Sequence, residues 1–114
     1  MKLADEIKKV VQLEVRPSET EDNYFEAVFQ SKDLDALLSV IREHVGDSIK
    51  SPGKRAKFPK DINKLVNNIG GLRPDQSFYF KQEPSGEYVY AALWPWQSDP
   101  SRITLKIGTG RLPA

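Results

Sequence analysis

Apolar and polar positions alternate most regularly across residues 77–107, where they predict three strands at about 77–82, 87–94 and 102–108. Side chains alternate along a strand, so the order of residues sorts them between two faces. Phe78, Phe80, Val89, Ala91, Leu93, Ile103, Leu105 and Ile107 are assigned to one face. Tyr79, Lys81, Tyr88, Tyr90, Ala92, Trp94, Arg102, Thr104 and Lys106 are assigned to the other. The first face has the composition of an ordinary core. The second carries four aromatic rings and three cations, more than a solvated sheet face requires. Pro84-Ser85-Gly86 is a short hairpin connection, and Trp94-Pro95-Trp96 ends the middle strand because proline has no N–H to give to a ladder.

Upstream the period changes. Leu3, Ile7, Val10 and Val11 form a helical stripe over residues 2–12, while Val11, Leu13 and Val15 also alternate at period two. Residues 10–16 are therefore open between helix and strand. Residues 24–30 alternate as a strand, with Phe25, Ala27 and Phe29 on one side. Leu34, Leu37, Leu38, Ile41 and Val45 define the clearest helix, at 32–45, with Gly46 placed to end it in a left-handed conformation. Residues 47–60 form a polar loop, and a further helix at 59–69 carries Ile62, Leu65, Val66 and Ile69 before Gly70-Gly71 stops it. Residues 109–114 are expected to be a flexible tail.

This order predicts a single α+β domain over residues 1–114. Its antiparallel sheet has three or four strands, built on the C-terminal meander at 77–108. About three helices (2–12, 32–45 and 59–69) cover one face, and the 24–30 strand joins at an edge.

Composition narrows the chemistry. The 114 residues include no cysteine, which removes disulfides, thiolate nucleophiles and thiolate-held metals. With no stretch of membrane-spanning length and no signal-like N-terminal run, a cytoplasmic protein without membrane association is expected. A net charge of +1 hides a division: residues 1–49 carry −5 and residues 50–114 carry +6. Such a division suits either an anionic partner for the basic half or attraction between the halves.

Catalytic constellations are scarce. His44, the only histidine, lies near a helix end where the dipole favours a cation, with no second ligand in sight. Gly53-Lys54 lacks the other elements of a phosphate-binding loop, and Gly108-Thr109-Gly110 has no helix after it. Neither a metal site nor a cofactor motif is present. Enzymatic activity stays undecided, because carboxylates distant in sequence can meet in space.

Two features remain. Tyr79, Tyr88, Tyr90 and Trp94 offer rings for base stacking, each stacked base being worth roughly 1–3 kcal/mol, and Lys81, Arg102 and Lys106 offer charge for phosphates. The second is the basic loop with Lys50, Lys54, Arg55, Lys57 and Lys60. Together they describe a non-catalytic binding module for single-stranded nucleic acid or a phosphorylated ligand. The alternative is a protein-interaction module, or a homodimer, that buries the same rings. A third reading is an enzyme with an unrecognised site. Tyr and Trp also pair well across strands, so a purely structural role competes with all three.

Overall fold

The computed structural model describes residues 2–20, 23–50, 53, 60–68, 70–71, 73 and 75–111. Helix α1 spans Lys2–Val10, α2 Leu34–His44 and α3 Lys60–Asn68. The strands are β1 (Glu14–Val15), β2 (Tyr24–Gln30), β3 (Ser48–Lys50), β4 (Ser77–Gln82), β5 (Glu87–Pro95) and β6 (Arg102–Arg111). They form one antiparallel sheet of six strands in the order β1-β2-β6-β5-β4-β3. The expected sheet of three or four strands is thus too small. The 24–30 strand does not lie at an edge but between β1 and β6. Residues 10–16 divide between the end of α1 and the short strand β1.

Helices α1 and α2 pack side by side on one face. Leu3, Ile7, Leu37 and Ile41 meet Phe25, Ala27, Phe29, Ala91, Leu93, Leu105 and Ile107 in the main core. Each large side chain buried there contributes roughly 1.5–3 kcal/mol against exposure. Gly46 ends α2 with a φ of 97°, its N–H donating to the Arg42 carbonyl at 3.1 Å. A carbon added at φ > 0 would crowd the backbone, which is why glycine stands there.

Helix α3 does not join the other two. Val66, with Ile62 and Leu65, packs against Phe78, Tyr90 and Ala92 on the opposite face, forming a second cluster. The expectation that all helices cover one face is overturned, and so is the assignment of β4. Register pairs Phe78 with Ala92 and Phe80 with Tyr90, so these phenylalanines share a face with the tyrosines of β5. Tyr79 pairs with Ala91 and lies in the main core under α1 and α2. Three successive aromatics at 78–80 leave alternation unable to choose between the two phases. The turn makes the choice: Glu83 N–H donates to the Glu87 carbonyl at 2.7 Å, closing a three-residue loop that pairs even positions with even.

Strand β6 also runs farther than expected. Thr109 pairs with Val89 and Arg111 with Glu87, so residues 109–111 are part of the sheet rather than a tail. Residues 112–114 lie outside the described residues.

Candidate ligand-binding surface

The aromatic face is mostly a structural layer. Phe78, Phe80, Tyr88 and Tyr90 form a four-ring array, with Phe78–Tyr90 and Phe80–Tyr88 centroids both 5.7 Å apart. Stacking at this separation adds to the burial itself. Tyr90 is 3% exposed and Tyr79 4%, so neither ring is open to a ligand; Tyr88 is half-buried. Burial pushes the phenols of Tyr79, Tyr88 and Tyr90 upward from their ordinary value.

The other expected residues separate. Lys81 shares a face with Tyr79, is exposed, and lies 3.8 Å from Glu83. It meets Tyr88 and Arg111 only around a shallow hollow of about 520 Å³ at the end of the hairpin. Lys50 is not a loop cation. It belongs to β3, is buried, and donates to the Gln76 carbonyl; desolvation lowers its pKa, offset in part by Asp75. Lys60 is the exposed first residue of α3, while Lys54, Arg55 and Lys57 lie outside the described residues.

Trp94, Arg102 and Lys106 do come together, with two residues that the sequence pattern did not select. The face that carries α3 over β4 and β5 continues across β6, β2 and β1, where Thr104, Lys106, Glu26, Arg102 and Glu14 share it. Lys106 Nζ lies 3.3 Å from the centroid of the Trp94 ring. Beside it, Trp96 is anchored by its Nε1–H, which donates to Thr104 Oγ1 at 2.8 Å. The guanidinium carbons of Arg102 and Arg16 lie 4.6 and 5.9 Å from the Trp96 ring, both within cation–π range. Arg102 also contacts Glu14, Nη2 to Oε2, at 2.6 Å.

The signal for Trp96 was its place two residues after Trp94, since positions two apart share a face. Arg16 had no local signal. It reaches the patch because its N–H bonds to the Glu26 carbonyl at 2.9 Å, extending β1 along β2.

The turn after Trp96 is tightly bonded. Asp99 Oδ1 accepts from Ser101 Oγ at 2.6 Å and from Ser101 N–H at 3.2 Å, which holds its carboxyl below the usual range. A groove of about 660 Å³ opens between this turn and β1, and its charged lining is Glu14, Asp33 and Asp99 with Lys32 and Arg102. Among the described residues no three His, Asp or Glu side chains converge as a metal site. Nor, among them, is any helix long and apolar enough to cross a membrane. The described residues form a small globular domain in which no catalytic signature stands out, with a ring-and-cation patch on the β1–β2–β6 part of one sheet face and Trp94 at its border, packed against the α3 cluster.

Comparison with protein-family models, with curated proteins and with solved structures finds no match for this chain.

Proposed function

We propose that this domain is a non-catalytic binding module for single-stranded nucleic acid, and that its ligand lies on the β1–β2–β6 half of the sheet. The observation that carries this reading is the Trp96 indole with both Arg16 and Arg102 in cation–π range of its ring, and the Lys106–Trp94 pair next to it on the same sheet face. Guanidinium planes and indole faces stack on bases, and the same cations meet phosphates. With Tyr79 and Tyr90 buried, stacking rests on few groups, so phosphate contact carries most of the affinity.

The test is fluorescence anisotropy with a labelled oligodeoxythymidine, begun at low salt and repeated as salt rises. Three phosphate-contacting cations predict a slope of log K against log salt of about −2, at about −0.7 per contact for single strands. Absence of binding at low salt overturns the reading. If light scattering then shows a mass that grows with protein concentration, self-association takes its place.

A further inference from the structure

We infer that Glu14 occupies the anion seat of this patch, so that a ligand phosphate binds by taking the place of its carboxylate on Arg102. The inference rests on the reading of the patch as a phosphate-contacting surface. Its own basis is the geometry of one ion pair. Arg102 has two neighbours of different kinds: the Trp96 ring at 4.6 Å and the Glu14 carboxylate at 2.6 Å. The ring contact is part of the indole's fixed setting, because Trp96 is bonded to Thr104 through Nε1 and to the Arg102 carbonyl through its backbone N–H at 3.0 Å. The carboxylate is held far less firmly. The Glu14 side chain is 69% exposed, that of Arg102 38%, and β1 pairs with β2 through only two residues.

Carboxylate and phosphate both accept charge-assisted hydrogen bonds from guanidinium. A phosphate reaching Arg102 from the ring side of the patch meets that donor with an internal acid already on it. Exposed ion pairs are weak enough to exchange. Displacement leaves Arg102 on its ring and frees Glu14, so β1 loses one of its ties to the sheet. Ligand binding and looser attachment of β1 are thereby coupled.

Oligodeoxythymidine titrations of the wild type and of Glu14→Gln at low salt test this, together with hydrogen exchange at the Arg16 amide. Glu14→Gln removes the competing charge at an exposed position and keeps the side-chain length. Its affinity is expected to rise about two- to fivefold, the range an exposed ion pair carries. The wild-type Arg16 amide, bonded to the Glu26 carbonyl, is expected to exchange faster when oligonucleotide is bound. Equal affinities, weaker binding by the variant, or an unchanged Arg16 exchange rate overturns the inference while the binding reading stands. If neither protein binds, both fall.

Discussion

The ring of Tyr90 lies over Gly108, its register partner on β6, so closely that a Cβ on Gly108 would stand 2.2 Å from Tyr90 Cε2. Tyr88 and Gly110 repeat the arrangement one pair along, with 2.5 Å to the Tyr88 hydroxyl oxygen. Glycine on β6 is what lets two tyrosines lean across the sheet into the four-ring array, an aromatic cover over residues that have no side chain of their own.

Gly108→Ala is therefore expected to destabilise the domain by about 1–3 kcal/mol, the usual cost of overpacking, because the buried Tyr90 ring has to move. Gly110→Ala is expected to cost less, since Tyr88 is half-buried and its hydroxyl end can shift toward solvent. Urea unfolding monitored by circular dichroism compares the two, and equal costs would contradict this packing.

The phase of β4 is open to a similar comparison. Tyr79→Ala empties a place in the main core and should cost about 3–5 kcal/mol. Lys81→Ala, two residues along on the same face but exposed, should stay within about 0.5 kcal/mol. A Tyr79→Ala protein as stable as the wild type would return that ring to the surface.

Arg102→Ala removes the Glu14 contact and the nearer of the two cations at the Trp96 ring together. Oligonucleotide affinity should fall and the salt slope should become shallower by about 0.7, the loss of one phosphate contact. The same substitution at Lys60, the exposed first residue of α3 and no part of the patch's ring or ion-pair contacts, should leave the slope unchanged.

Alkaline pH should act through Tyr90. Burial first, and then the Tyr88 and Glu26 side chains, raise its phenol above the ordinary value near 10. The unfolded chain thus releases this proton at a lower pH than the folded one does. The stability concerned is complete below pH about 10 and declines as pH rises toward the folded-state value. Tyr90→Phe should flatten that decline, read from urea midpoints at neutral and alkaline pH.

Much of the architecture was legible in the pattern of residues. The Leu34–Val45 stripe marked α2, Gly46 marked its end, and Phe25, Ala27 and Phe29 marked the buried side of β2. Alternation along β5 and β6 assigned Trp94, Thr104 and Lys106 to one face, where register pairs and ring contacts hold them. These features are local, because the 3.6- and 2-residue periods express one-sided burial within a single element.

What depended on distant parts of the chain was not legible in the same way. Strands β1 and β3, of two and three residues, are too short to show a period and exist because β2 and β4 present open edges to them. The three aromatics of β4 satisfied either phase until the closing pair of its hairpin chose one, and that choice sent Tyr79 inward and α3 to the opposite face. Arg102 and Glu14 stand 88 residues apart in sequence, and their contact follows from strand order. Composition and period decided which residues are buried along each element. The register between strands, a property of pairs of elements, decided which rings meet one another and which cations share a face.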